Sequence, residues 1–250
     1  MLERKQYSKP PLVEVFCEFF FEPQSNAEWD IFLLPQMHDK IRDRFPERKH
    51  LRTVGVHLNR DRAKGFQMER FGPATPRHQF ISTDGKSLAQ VGDNLLAVNQ
   101  LPPYYGWDNF RPRVEECFAA YCDLWKPQRI ACAALHYIDK IDIPLPQLNL
   151  FEYFNLYPTL PDDAPDSITS IAMGFESQGK MEGDIFAVAF RQEPSANPEH
   201  TSFVLQFDYV AGAGLELALE GVTGWLEAAH DACSSFFRSA ITAKCAELFC

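Results

Sequence analysis

The residues best suited to acid–base chemistry lie in the segment RIACAALHYIDKIDIP, from Arg129 to Pro144. His136 stands in the middle of this segment, and Asp139 follows three residues later. A buried imidazole near a carboxylate can act as a general base, so His136, Asp139 and, more distantly, His57 are weak catalytic candidates. The alternative for His136 is a core histidine hydrogen-bonded across a sheet, which is the more ordinary arrangement.

Local motifs nominate no reaction. The chain has no GxSxG, P-loop, GxGxxG or HExxH sequence, and its seven cysteines are odd in number and scattered, without a CxxC pair. His57 and His78 lie in segments that resemble strands, where exposed histidines explain them as well as a metal site does. We therefore expect no metal, no cofactor and no enzyme activity, although a site built from residues distant in sequence stays open.

A basic tract in the first half suggests binding to phosphates. The tract consists of Lys40, Arg42, Arg44, Arg48, Lys49 and Arg52. Acidic residues interrupt it, so a solvated face of locally paired charges is the alternative, and it is the one we favour. The net charge of −10 also disfavours a general affinity for nucleic acid.

A second candidate contact surface is the aromatic stretch LPPYYGWDNF, which contains Tyr104, Tyr105 and Trp107. Pro-rich aromatic loops can serve as recognition surfaces, and they also plug the bottom of a sheet. The charge is uneven: residues 1–127 hold 18 Lys and Arg against 17 Asp and Glu, whereas residues 128–250 hold 6 against 17. Such an asymmetry favours a protein partner, with solubility alone as the alternative explanation.

The central element is predicted to be a strand over Arg129–Pro144, because both of its faces are apolar for most of its length. Apolar spacing predicts helices over Trp107–Trp125 and over most of Leu215–Phe249, and a helix from Ala27 that Pro35 kinks or interrupts. The other strand-like runs are Leu12–Phe21, several between Leu51 and Gln100, Ile168–Ser177, Ile185–Glu193 and Thr201–Val210.

The order strand, helix, several strands, helix occurs in both halves of the chain. It predicts an α+β fold of two similar lobes, 1–127 and 128–250, each an antiparallel sheet with a long helix packed on one face, which suggests an internal duplication. One continuous sheet is the alternative. No apolar run approaches the roughly 20 residues of a membrane helix and no signal-peptide pattern follows Met1, so we expect a soluble cytoplasmic protein.

Four stretches carry a family resemblance: KPPLVEVFCEFFFEP, QFISTDGKSLAQVGDNLLAVNQLPPYYGWDNF, RIACAALHYIDKIDIP and AHDACSSFFRSAITAKCAELF. They resemble a sporadically distributed, mostly uncharacterised family of prokaryotic proteins of about this length. That family commonly has Asn-Arg where this chain has Asp139-Lys140. The resemblance implies no reaction. It implies occurrence in mobile and phage-defence gene neighbourhoods, including CRISPR-linked ones.

These observations predict a non-enzymatic protein-interaction or regulatory component of a prokaryotic antiviral defence module, such as a CRISPR-associated one, with another protein as its partner. The alternative is a nucleic-acid- or nucleotide-binding protein, or a nuclease, that uses the N-terminal basic tract. The sequence leaves open whether a cleft between the lobes binds a small ligand.

Overall fold

The fold is given by a computed structural model of the chain. The structure describes residues 7–22, 29–51, 56–61, 65–70, 77–144, 149–158, 170–211 and 217–250, and for 50–51, 56–61 and 65–70 it describes the backbone alone. Strands and helices alternate along these segments in an order that defines an α+β fold, as the sequence predicts.

The eleven strands described are β1 (Leu12–Phe21), β2 (Glu47–Leu51), β3 (Val56–Asp61), β4 (Gly65–Arg70), β5 (Arg77–Ile81), β6 (Ser87–Gly92), β7 (Leu95–Gln100), β8 (Ile130–Ile143), β9 (Ala172–Gln178), β10 (Ile185–Glu193) and β11 (Thr201–Val210). The five α-helices described are α1 (Leu34–Ile41), α2 (Trp107–Trp125), α3 (Leu150–Tyr153), α4 (Val222–Ala240) and α5 (Ala243–Glu247).

Nine of the strands form one antiparallel sheet in the order β2-β5-β6-β7-β1-β8-β11-β10-β9, and β3 pairs with β4 in a separate hairpin. The two halves of the chain meet where β1 pairs with β8, for example at Phe16 opposite His136. The expected two separate sheets are therefore not formed by the described strands. The alternative of one continuous sheet is observed, because both β1 and β8 have a strand neighbour on each side.

The side chains of β8 follow the alternation expected of a strand. Leu135, Tyr137 and Ile141 are buried on the face that the long helices cover. The ring of Phe118 on α2 lies 4.8 Å from Phe19 of β1, and the ring of Phe236 on α4 lies 5.8 Å from Phe207 of β11. A fully buried aromatic side chain such as Phe19 or Phe207 stabilises the fold by about 2–3 kcal/mol, so this face is the main core.

The helix boundaries follow local chemistry. Helix α2 has the predicted bounds and ends at Lys126, which has a positive φ of 48° and is followed by Pro127. A 3₁₀ turn over Ile31–Leu33 leads directly into α1, which begins at Leu34, so Pro35 lies in the first α-helical turn, where the helix type changes. The predicted start at Ala27 lies outside the described residues. The predicted C-terminal helix divides at Ile241, where extended backbone separates α4 from α5.

Candidate functional site

The two acid–base candidates of β8 lie on opposite faces of the sheet. Residues three apart in a strand point to opposite sides, so His136 and Asp139 do not meet. Asp139 lies on the helix-covered face, in the same alternation as Tyr137 and across from Leu205 of β11. His136 lies on the other face, across from Phe16 and Asp208. The expectation of a His136–Asp139 pair is therefore corrected: the carboxylate beside His136 is that of Asp208.

His136 is hydrogen-bonded across the sheet. Its Nδ1 lies 2.6 Å from Oδ1 of Asp208, and the side-chain amide of Gln206 donates to both oxygens of that carboxylate at 3.1 and 3.0 Å. The ring of Phe16 stacks on the imidazole at 4.2 Å. This is the geometry of a core histidine held by its neighbours, although Nε2 of His136 has no hydrogen-bond partner among the described residues.

A cavity of about 240 Å³ lies on the opposite, helix-covered face. Its wall is formed by the segment before β1 with the first residue of that strand, by the loop that leads into α2 with the first turn of that helix, and by parts of β8, β11 and α4. The lining residues on which the chemistry depends are Tyr7, Tyr104, Trp107, Tyr137, Asp139, Phe207, His230, Cys233, Phe237 and Arg238. Both halves of the chain therefore contribute to one concave site of the kind that binds small molecules.

Asp139 is the most unusual group in this cavity. Asp139 is 6 % exposed, and no hydrogen bond or ion pair joins its carboxyl to another described residue. Burial, which removes the carboxylate from water, raises the pKa of Asp139 to about 8. The carboxyl is therefore largely protonated at neutral pH. The carboxyl faces the cavity and has no partner among the described side chains, so it can hydrogen-bond to a molecule that enters from outside.

Helix α4 brings a second polar group to the cavity. Nδ1 of His230 lies 2.8 Å from the hydroxyl oxygen of Tyr137, and burial raises the pKa of Tyr137 well above its ordinary value. The imidazole stacks on the indole of Trp107, with ring centres 4.3 Å apart and planes only 3° apart. His230 is thus fixed on two sides, and its ring forms part of a rigid wall.

The first turn of α2 is hydrogen-bonded to α4 through the carboxylate of Glu227. The indole N–H of Trp107 donates to Oε1 of Glu227 at 2.9 Å, and Nη1 of Arg111 donates to the same oxygen at 2.5 Å. Gly106, the residue before α2, has a φ of 89°, a conformation that glycine adopts without strain. These contacts hold the cavity-lining loop against α4, so the shape of the site depends on both long helices.

The cavity holds no activated nucleophile among its described residues. Cys233 is 1 % exposed, and burial raises the pKa of its thiol well above the ordinary value, which keeps it protonated and unreactive. Among the described residues, no group of three or more His, Cys, Asp or Glu side chains could hold a metal ion. The arrangement can bind and orient a molecule through one buried acid and several aromatic rings.

The basic tract does not converge on this cavity. Three of its six members form ion pairs with nearby acids: Lys40 with Asp123 at 2.7 Å, Arg42 with Asp39 at 3.7 Å, and Arg44 with Glu116. Arg48 and Lys49 are exposed on the edge strand β2. Arg52 and the side chain of His57 lie outside the described residues. Lys40, Arg42 and Arg44 thus have the local pairing of a solvated face, whereas no ion pair is seen for the described side chains of Arg48 and Lys49.

The aromatic stretch before α2 is divided between surface and interior. Trp107 is 4 % exposed and Tyr105 is 55 % exposed. The ring of Tyr104 lies edge-on to Tyr137, with centres 6.4 Å apart. Both Tyr104 and Trp107 line the cavity, and Tyr105 lies beside them at its rim.

Sequence reasoning did not nominate Asp208, His230, Cys233 or Arg238. A signal for the cavity was nevertheless present in β8, where Asp139 interrupts an otherwise apolar series at every second position. On α4, positions 230, 233, 234 and 237 recur at helical spacing and share one side of the helix. These two patterns mark a polar site inside the core, but they do not show that the two elements pack together.

Comparisons with known proteins give no family. No protein-family model matches the chain, and no curated protein matches it. The resemblance to prokaryotic defence-associated proteins therefore stays an expectation. Among the described helices, none has both the length and the apolar character needed to cross a bilayer.

Proposed function

We propose that this protein is a non-enzymatic regulatory component that binds a small molecule in the cavity on the helix-covered face. The observation that carries the proposal is the Asp139 carboxyl, which is buried in the cavity wall and has no hydrogen-bond partner among the described residues. A ligand in the cavity that hydrogen-bonds to this carboxyl supplies the partner that the described side chains do not.

The site supports binding better than catalysis. His230 is held by Tyr137 and Trp107, and the thiol of Cys233 is protonated. A general base or a nucleophile needs a free lone pair in reach of a substrate. Inside the cavity the described acid is the neutral Asp139 carboxyl, and the carboxylate of Asp108 lies at the exposed rim.

The position of the cavity supports a regulatory role. A ligand there contacts the loop before α2 and the helix α4, which belong to different halves of the chain. A ligand shifts the equilibrium between two conformations of a protein when it binds one of them more tightly. A ligand that contacts both halves of the chain binds more tightly to the conformation in which the two halves are placed correctly around it. Tyr105, which is exposed at the rim, is a suitable contact for a protein that responds to the bound state.

We place the partner and the setting within the same proposal. The resemblance of four stretches to prokaryotic defence-associated proteins supports a role in an antiviral, CRISPR-linked module in the cytoplasm. The acidic balance of residues 128–250 supports a protein partner. Nucleic acid is the less favoured partner, because the described basic residues Lys40, Arg42 and Arg44 are paired with acids.

We also propose that the two halves, 1–127 and 128–250, are related by duplication. In each half the first strand pairs with the last, β1 with β7 and β8 with β11. In each half a helix of 19 residues, α2 or α4, follows the last strand. These shared features support a common origin.

Thermal unfolding with a matched pair of cavity variants tests ligand binding. Ser234 lines the cavity and Ser235, the next residue of α4, is exposed, so Ser234→Phe fills the site and Ser235→Phe does not. A low-molecular-mass extract from the native host should raise the Tm of the wild type and of Ser235→Phe by roughly 5–10 °C at saturation, and leave Ser234→Phe unchanged. An equal response, or no response, in all three proteins contradicts the proposal.

Pull-down from the native host tests the regulatory role. Wild type and Ser235→Phe should recover the same partner protein in an amount that changes when the extract is added. Ser234→Phe should lose this dependence. Recovery that does not respond to the extract in any of the three proteins contradicts the regulatory part and leaves ligand binding intact.

A further inference from the structure

The charge preference of the cavity follows from Asp139. A buried carboxylate is unfavourable unless a positive charge or hydrogen-bond donors approach it. Burial alone accounts for the raised pKa of this carboxyl, so Arg238, which also lines the cavity, does not neutralise it. Arg238 is instead hydrogen-bonded to Ser234, and its charge lowers the pKa of Tyr7 against the larger effect of burial. The buried acid therefore lacks a cation, and a ligand can supply one.

The rest of the wall is suited to an organic cation. Seven Phe, Tyr and Trp side chains line the cavity, with Tyr105 at its rim: Tyr7, Tyr104, Tyr105, Trp107, Tyr137, Phe207 and Phe237. The face of an aromatic ring attracts a cation by about 0.5–2 kcal/mol, and the same rings bury the hydrocarbon part of a ligand. Asp108 adds negative charge at the rim, and the net charge of −10 attracts cations over a longer range.

The volume limits the size of the ligand. An apolar cavity of about 150 Å³ holds a benzene ring. The present cavity of about 240 Å³ has room for one such ring with a short chain and a polar head group. Larger drug-sized ligands occupy pockets of about 300–1,000 Å³, so a ligand of that size would extend out of this cavity.

We propose that the cavity binds a small organic amine in its protonated form, with the ammonium group against the Asp139 carboxylate and the hydrocarbon part among the aromatic rings. The inference rests on the proposed function and specifies the ligand class of the same site. The ammonium N–H groups donate to the carboxylate oxygens and satisfy the group that is orphaned in the free protein.

Binding of this kind releases a proton. In the free protein the Asp139 carboxyl is largely protonated at neutral pH, whereas the amine binds to its ionised form, so the carboxyl proton leaves to solvent. The affinity should therefore rise about tenfold for each pH unit between about pH 5 and pH 7. The following other titratable or charged groups also face the cavity. They are Tyr7 in the segment before β1, Tyr104 and Tyr105 in the loop before α2, Asp108 on α2, Tyr137 on β8, and His230, Cys233 and Arg238 on α4.

Isothermal titration calorimetry with three matched compounds tests the inference on the full chain. The compounds are 2-phenylethylamine, 2-phenylethanol and 3-phenylpropanoate, which share a ring and a short chain and differ in charge. At neutral pH the amine should bind at least tenfold more tightly than the alcohol, and the acid should bind most weakly. In Asp139→Asn the amine should lose this preference to within about twofold of the alcohol, because a carboxamide carries no charge. Asp142→Asn, on the other face of β8, should behave as the wild type.

The outcomes separate this inference from the proposed function. If the alcohol or the acid binds as tightly as the amine, or if Asp139→Asn binds the amine as tightly as the wild type, the cation assignment is wrong. If the alcohol binds as tightly as the amine and Ser234→Phe abolishes its binding, the cavity is still a ligand site, but its ligand belongs to a different chemical class. Binding of none of the three compounds overturns the assignment of class and size, and the host-extract experiment then decides whether the cavity binds anything.

Discussion

The buried acid gives the protein an unusual dependence of stability on pH, which the substitution Asp139→Asn should remove. The pKa of this carboxyl is about 8 in the folded chain, against an ordinary value of 3.8. Between these values the folded state keeps a proton that the unfolded state has released. Because the unfolded state binds fewer protons, the free energy of unfolding falls as the pH rises through this window.

The magnitude follows from the size of the shift. One bound proton changes the free energy of unfolding by about 1.4 kcal/mol for each pH unit within the window. Between about pH 5 and pH 7 the wild type should therefore lose about 3 kcal/mol that Asp139→Asn does not lose. The introduced carboxamide has nearly the same volume as the carboxyl and no charge at either pH, so the cavity wall keeps its shape.

Urea unfolding at several pH values measures this difference directly. The free energy of unfolding of Asp139→Asn should rise relative to that of the wild type as the pH increases from about 5 to 7. Asp142→Asn is the matched control, because Asp142 lies on the same strand but is exposed, and its curve should run parallel to that of the wild type. Parallel curves for Asp139→Asn as well would refute the reasoning, since they would mean that Asp139 is ionised in the folded chain.

Three further predictions concern the core, the His136–Asp208 pair and the basic tract. In urea unfolding, Phe207→Ala should lower the free energy of unfolding by about 3–5 kcal/mol, because Phe207 is only 1 % exposed. Phe175 is 42 % exposed, so Phe175→Ala should lower it by less than about 1 kcal/mol. Similar losses in the two variants would contradict the described core. Asp208→Ala should lower the free energy of unfolding by about 1–3 kcal/mol, because it leaves His136 without its partner. Asp231 is exposed, so the control Asp231→Ala should change the free energy of unfolding by less than about 0.5 kcal/mol. Equal effects of the two substitutions would contradict the importance of the His136–Asp208 pair. Filter binding of the full chain to RNA and to duplex DNA should show no affinity at low salt, and an affinity that falls steeply with added salt would restore the basic tract as a site.

Several elements could be predicted from the sequence because their signals are local. Helix α2 and the strands β10 and β11 have the bounds that apolar spacing and alternation indicate. The start of α1 differs, because Pro35 is compatible with a first turn as well as with a kink, and the sequence alone does not decide between them. The break at Ile241 was also missed, since the apolar stripe of α4 continues through it into α5.

The joining of the halves into one sheet could not be predicted, because it depends on which strand edges meet. β1 and β8 are separated by more than a hundred residues, and nothing local specifies that they pair. The sheet order also decides the partner of His136. Alternation alone would have placed His136 and Asp139 on opposite faces, but only the pairing of β8 with β11 brings Asp208 to the imidazole.

The cavity was unpredictable for the same reason. Its lining runs from Tyr7 to Arg238, nearly the whole length of the chain. The stretch with Tyr104 and Trp107 is recognisable in the sequence as an aromatic loop, yet its place in the cavity wall depends on the contact between α2 and α4 through Glu227. Sequence reasoning identifies unusual residues one at a time, and the structure shows which of them share a space.

The most direct measurement of the central claim is the titration of the Asp139 carboxyl carbon by ¹³C NMR, with Asp139→Asn used to assign its signal. The protein without ligand should titrate near pH 8, far above an ordinary aspartate, and saturation with 2-phenylethylamine should lower the midpoint. A midpoint near 4 in the free protein, the value of an ordinary aspartate, would show that the carboxyl is solvated or paired. A raised midpoint that does not move with the amine would contradict the binding of a cation at this acid.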